Sequence, residues 1–450
     1  MNRMSRVVGR GFQLGLGRQA ASLAAILLAV SLAGCAGSAA TGAQSASPGL
    51  APSQTPSPTA NPTPPRTETP TAAPTPTERP AAQFLTTGSM SVARFSATAT
   101  LLNDGRVLIV GGHATASLEG LSSTETYDPT SGRFSPAGSL RHGRLGHTAT
   151  LLADGRVLVV GGRSGSAQPG FASVRTATAE LFDPVTGEWS DTGPLHTARV
   201  DHTATLLTDG RVLVVGGSQP DTVTAASTAE IWDPKSGRFT PTGSMRTGRT
   251  WHTATRLQDG TVLIVGGIVS IDANDKMNQK LPAERWSPKT GKFTVTGPNR
   301  LPRELPAVTL LRDGRVLIIG GITGSDNPDV EAEAFDPTTA QYSRVSVTGF
   351  GDTVTLLQDG RVLECGEFIP DNRYFAAKAS RAYLYDPATD TETQTASLNT
   401  PRTFPTATLL PNGQVLIAGG GRWVNESISP LDSAELYVPG SPATPAPAGT

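Results

Sequence analysis

Cysteine is scarce in this chain: two in 450 residues, Cys35 and Cys365. That excludes a framework of disulfides, so packing must hold the fold. An excess of charge of one sign is also missing. The 37 basic side chains stand against 38 acidic ones and no basic stripe appears, which argues against a nucleic-acid partner. Helical periodicity is absent from the repeated body of the chain, which excludes amphipathic helices as its building unit. The one extended apolar run, Ala20 to Leu32, is too short for a comfortable membrane span.

That run has a telling context. Arg3, Arg6, Arg10 and Arg18 precede it with no acidic residue among them, and Leu32-Ala33-Gly34-Cys35 follows. A basic start, a short apolar stretch and a small-residue site describe an export signal. The last four residues resemble the lipobox of bacterial lipoproteins. The resemblance implies a signal peptide over 1–34, cleavage before Cys35, and lipid on its thiol and amino group. The expected location is the cell membrane or outer membrane, with the domain extracytoplasmic. Residues 35–81 are rich in Ala, Ser, Thr, Gly and Pro, too poor in apolar side chains to offset their ordering entropy. They read as a disordered tether whose polyproline geometry reaches on the order of 100 Å. Residues 440–450 read as a similar tail. With Cys35 lipidated, Cys365 is one free thiol and reads as a small core residue rather than a nucleophile.

What is present, over residues 82–439, is repetition. Leu206-Leu207-Thr208-Asp209-Gly210-Arg211-Val212-Leu213-Val214-Val215-Gly216-Gly217 is one of seven near-copies, the others carrying the turn glycine at 105, 155, 260, 314, 360 and 413. A period of roughly fifty residues means an array of one supersecondary unit. In the second copy, His147 to Leu152 predicts a strand and Asp154-Gly155 a tight hairpin. Arg156 to Val160 predicts a second strand covered on both faces. Gly161-Gly162 ends it, Thr178 to Phe182 predicts a third strand, and Asp183-Pro184-Val185-Thr186-Gly187 a turn. Glu188 to Ser190 predicts a fourth strand whose Trp189 is an apolar plug. Four short antiparallel strands per repeat predict a propeller blade.

The Gly-Gly pair, the aromatic-Asp-Pro turn and the aromatic after it (Phe134, Trp189, Phe239, Phe293) make the chain resemble the kelch repeat family. The resemblance covers nearly all of the chain beyond the tether and implies an all-β, seven-bladed kelch-type propeller, expected as a monomer. The seventh copy stops at Pro439 without a fourth strand, while Gln83 to Met90 matches Arg238 to Met245. The N-terminal strand is therefore expected to complete the last blade and close the ring.

Six copies carry an Arg before the first strand (Arg94, Arg144, Arg199, Arg249, Arg303, Arg402) and a Glu in the third (Glu125, Glu180, Glu230, Glu284, Glu333, Glu435). Copy six has Gly349 and Tyr383 instead. Joint loss reads as an internal ion pair rather than a cationic ring at the channel mouth. His147, His202 and His252 share one position in three copies, read as braces; Ala97, Pro306, Asp352 and Pro405 stand there in the others. No carboxylate or thiol spacing supports a metal there, and no metal or cofactor is expected.

Function is expected where the repeat is broken, on the face bearing the variable loops after Gly-Gly. Copy six departs most, with Glu364 and Cys365 replacing aliphatics and Glu367 replacing the second Gly. Arg373 and Tyr374 in its loop, Trp251, and Arg422 with Trp423 in copy seven form a candidate ligand-binding rim, by stacking and bidentate hydrogen bonds. Two enzyme classes compete with binding. The blade style is similar to that of galactose oxidases, whose copper-radical site needs two Tyr, two His and a Cys. One such Tyr sits two places after the blade Arg, where this chain has Ser96, Gly146, Asp201, Trp251, Leu305 and Phe404, which argues against that chemistry. Exported kelch-type sialic acid epimerases need an acid/base pair, for which Asp352 with Glu364 or Glu367 are the asymmetric carboxylates. The reading is a non-catalytic binding module for an extracytoplasmic protein or glycan; the alternatives are such an epimerase or a purely structural envelope protein.

Overall fold

Seven four-stranded antiparallel sheets stand where the seven copies do. The computed structural model describes residues 81–114, 119–164, 174–219, 224–269, 281–297, 303–321, 332–347, 351–367, 380–424 and 427–440. Blade two comprises Thr148–Leu151, Val157–Val160, Ala179–Asp183 and Glu188–Thr192, so the expected strands hold to within a residue or two. The first strand of each blade touches the first strand of the next all the way round, blade seven returning to blade one. The result is a closed seven-bladed propeller whose first strands lie innermost.

Closure is made by Gln83–Thr86, which pairs antiparallel with Ala434–Val438, Phe84 opposite Tyr437. The two rings lie 5.1 Å apart, and Phe84 is buried. The strand follows because its sequence is a blade's fourth strand placed at the wrong end of the chain.

The core is divided into wedges between blades. Leu158 and Val160 of blade two pack on Val212, Val214 and Trp232 of blade three. Val157 and Val159 pack instead on Leu108 and Val110 of blade one. Alternate side chains of each second strand thus face opposite neighbours, which is why those strands are apolar at every residue. The Gly-Gly pair keeps the wedges close. Gly161 has φ +61, and a Cβ on it would lie 2.7 Å from the Arg199 carbonyl oxygen of the next blade. The turn glycine after Asp-Pro is replaced in blades five and six by Ala340 (φ +56) and Asp390 (φ +52). Asp390 turns this to use, accepting from the Ser346 N–H at 2.9 Å and the Tyr385 hydroxyl at 3.0 Å.

Two short hairpins were not legible in the sequence. Arg163–Ser164 pairs with Val174–Arg175, and Gly421–Val424 with Ser427–Pro430, both on the variable-loop face. Cys35, Arg373 and Tyr374, with the proposed signal segment and tether, lie outside the described residues. Among the described residues no helix is long and apolar enough to cross a membrane.

Candidate functional site

The repeated charges belong to the scaffold. Arg144 Nη2 donates to Glu180 inside blade two, and its Nη1 donates to the carbonyls of Gly161 at 3.0 Å and Thr178 at 3.1 Å. The second Glu180 oxygen accepts from the Arg141 N–H at 2.8 Å. Arg94–Glu125, Arg199–Glu230, Arg249–Glu284, Arg303–Glu333 and Arg402–Glu435 repeat the pair at 2.7, 2.9, 2.9, 3.3 and 2.8 Å. All twelve side chains are buried. Burial lowers the Arg144 pKa and Glu180 opposes the shift, so each charge is tolerated only with its partner.

The three histidines stitch blades together through side chains. His147, His202 and His252 place Nε2 at 3.1, 3.1 and 2.9 Å from the hydroxyls of Thr98, Thr148 and Thr203, each in the preceding blade. Burial, then the neighbouring Arg, pushes the His147 and His252 pKa values down to about 3, so both rings are neutral. The bracing role stands, but its partner is a threonine hydroxyl.

The residue two places after each blade Arg builds an inner rim. Ser96, Asp201, Trp251, Leu305 and Phe404 have φ of +56, +56, +57, +50 and +47, and Gly146 has +63. A left-handed non-glycine residue costs on the order of 1 kcal/mol and persists only where its surroundings dictate it. From blade two to blade five the dictating element is a backbone chain: Asp201 N–H donates to Gly146 O at 2.9 Å, Trp251 N–H to Asp201 O at 3.4 Å, and Leu305 N–H to Trp251 O at 3.1 Å. The side chains are all half-buried or exposed. One backbone geometry therefore presents six different chemistries to the same opening.

Around blades one to four this rim is polar and aromatic. Arg163 and Arg175 are cross-strand partners in the short hairpin, and Arg175 Nη2 donates to the Ser218 hydroxyl at 2.9 Å. Asp201 interacts with both arginines and with the Trp251 side chain. Burial raises its pKa, against the pull of Arg163, of the Trp251 side chain and of Arg175. His113 is pushed down to about 4, by burial and then by Arg163. Phe95 stands edge-on to His113 at 5.1 Å and to Phe404 at 5.7 Å. On the opposite face, a shallow cavity of about 390 Å³ beside Asn103, Asp154 and Val185 has its charges met locally, Arg156 holding Asp154 at 2.7 Å.

The nominated residues are dispersed by comparison. Trp251 lies on the inner rim. Arg422 is exposed on the Gly421–Val424 strand, which also carries Trp423. Asp352 is engaged: its Oδ2 accepts from Phe404 N–H at 2.8 Å and Thr403 Oγ1 at 3.0 Å, replacing the rim carbonyl that blades two to four supply. Glu364 is wholly buried in Val362–Glu367, and neither oxygen has a hydrogen-bond partner. It occupies the cross-strand position beside Tyr383, where blade two has Val159 beside Glu180. Burial raises its pKa well above the carboxylate range, with Glu392 adding to the shift. Asp352 and Glu364 thus do different things, one bracing the rim, the other lying within the sheet. Glu367 is the last residue of the same strand, opposite Gly351. Cys365 is buried, and burial first of all pushes its thiol up to about 12.

The sequence reading missed Arg163, Arg175, Asp201 as a charged group, and Glu304. Glu304 is buried with both oxygens unpartnered, and burial raises its pKa to about 7. The available signal was a charge where other copies are neutral: Arg163 stands where Ser218 and Ile268 follow Gly-Gly.

Residues 144–196, blade two with its entry, match the family model of the Kelch motif. No curated protein matches the sequence. Among solved structures the chain is similar to one described as a novel fungal alcohol oxidase with catalytic diversity among the AA5 family, in complex with copper. The TM-score is 0.62 at 20% identity, over 80% of this chain and 77% of that one. At that identity the likeness shows the fold alone. Among the described residues no tyrosine occupies the inner rim, where a copper site of the galactose oxidase type would need one, and three of the histidines are spent between blades. Among the described residues no three His, Cys, Asp or Glu side chains converge to hold a metal ion. The fold is a seven-bladed propeller with a Kelch motif in blade two, which supports a binding or structural module at most.

Proposed function

We propose that this kelch propeller is a non-catalytic binding module, held at the cell envelope by lipid on Cys35, that takes an extracytoplasmic protein or glycan on its variable-loop face. The observation carrying this reading is the inner rim. Five non-glycine residues hold the same strained conformation with five unrelated side chains. A scaffold under structural demand alone would favour glycine there, as at Gly146. Retained strain with varied chemistry is the mark of a surface kept for contact.

The anchor follows from the basic, apolar and Leu32-Ala33-Gly34-Cys35 sequence, and the tether would lift the propeller clear of the membrane. The test is a glycan array, with crosslinking to envelope proteins, probed with the chain and with Trp251→Ala and Arg422→Ala. Capture weakened by either variant at unchanged melting temperature is the expected result. Capture indifferent to both variants would leave a structural envelope protein as the better account. For the anchor, mass spectrometry of the expressed chain should find acylated Cys35 as its first residue, and Cys35→Ala should release the protein from membranes.

A further inference from the structure

We propose that Arg163 and Arg175, with Asp201 and Trp251, form a binding site for the acidic group of an anionic saccharide. The inference rests on reading the variable-loop face as a binding surface, and it names the ligand class.

Two arginines directly opposite each other on one hairpin are destabilising unless an anion lies between or beside them. Both backbones are fixed, so the pair cannot simply move apart. Arg163 N–H donates to Leu145 O at 2.9 Å and its carbonyl accepts from Leu145 N–H at 3.1 Å, while Thr176 N–H donates to Gly162 O at 2.9 Å. Arg175 is drawn over blade three by Ser218, itself bridged to Val200 beside Asp201. Nε of each guanidinium is buried with no hydrogen-bond partner, as it also is in Arg199, Arg249 and Arg303, so the ion pairs make the difference. Neither makes an ion pair among the described residues, whereas six arginines inside the blades each have a carboxylate. Among the described residues the acid acting on them is Asp201, one negative charge against two positive ones. Two forked guanidinium donors without an ion-pair partner among the described residues suit a carboxylate or a sulfate ester.

Asp201 and Trp251 select the carrier. A carboxylate facing the arginines would repel an acidic peptide side chain that brought no donors of its own. A sugar acid carries hydroxyl donors next to its anionic group, so one ring satisfies Asp201 and both arginines together. The half-buried indole of Trp251 adds an apolar ring of the size a pyranose stacks upon.

The test is calorimetric titration of the full chain with oligogalacturonate, oligoglucuronate and a sulfated galactan, beside neutral oligogalactose and polyglutamate. At least one acidic saccharide should bind, weaken with added salt, and lose about tenfold or more in affinity in Arg163→Gln and Arg175→Gln. Arg163→Lys should recover part of the loss, and melting temperatures should stay near that of the parent. Silence of all three acidic saccharides overturns the site, as does equal binding of neutral oligogalactose or indifference to both arginine variants. Polyglutamate bound with the same arginine dependence overturns the saccharide assignment. If the panel is silent while array or crosslinking capture still depends on Trp251, this site falls and the broader binding function stands.

Discussion

Arg144 and Arg163 belong to the same blade and live under opposite conditions. Arg144 is buried with a carboxylate, two carbonyls and a hydroxyl around it, in an arrangement that blades one, three and seven repeat in full, while Arg249 and Arg303 keep its carboxylate and its glycine carbonyl. Arg163 is half-buried, faces another arginine, and makes no ion pair among the described residues. Each repeated pair meets the two charges it encloses, because an unpaired one would cost several kcal/mol at each recurrence. The rim leaves charges and strained residues open to solvent, where a ligand is the remaining way to meet them.

If that contrast is right, damage to the scaffold should unfold the protein, and damage to the rim should not. The largest effect is expected from deleting residues 82–90. Blade seven would lose its fourth strand, buried Phe84 would go, and an edge would open, for a loss of about 5 kcal/mol or more on a melting curve. An unchanged melt would refute the clasp. Glu180→Ala strands Arg144 inside blade two and should cost about 3–5 kcal/mol by denaturant titration. Asp352→Ala leaves the Phe404 N–H and Thr403 hydroxyl unmet and should cost about 1–3 kcal/mol. Glu364→Val restores the apolar residue of other blades and should stabilise by about 1–3 kcal/mol; loss of stability would mean the carboxyl has a partner. Arg163→Gln removes an unmet charge and should move the melting temperature by no more than a degree or two, in either direction.

Acid sharpens the same comparison. His147 and His252 are held neutral, so the unfolded chain binds protons more readily than the native one. Stability should therefore fall as pH drops from about 6.5 towards about 3. Glu304 has the opposite sign: its raised pKa, about 7, means the native state keeps a proton that the unfolded chain releases. Its contribution is lost as pH rises from about 4.5 to about 7. Glu304→Gln should make the upper limb of the profile shallower, Glu364 still contributing to it, and leave the acid limb unchanged.

The ring was legible because each blade repeats its own instructions. Asp-Gly before an apolar run, Gly-Gly after it, and paired Arg and Glu recur at fixed offsets, and the stray fourth strand at Gln83 announces closure. The candidate site was legible only in part. Trp251 was singled out and does stand on the rim, and Asp352 was singled out for chemistry but is engaged in bracing blade seven. Arg163 and Arg175 escaped notice because a loop of uncertain length separates them, and only the short hairpin sets them opposite each other.

The sequence by itself determined the number of blades, their strand order and the closure, since these depend on local turn chemistry and period-two packing that every copy restates. The tertiary structure alone decided which departures from the repeat meet. Asp201, Arg163, Arg175 and Trp251 come from three blades, and their approach depends on ring curvature and left-handed rim residues. No single blade's sequence encodes that curvature, because it arises only when seven wedges pack around one axis.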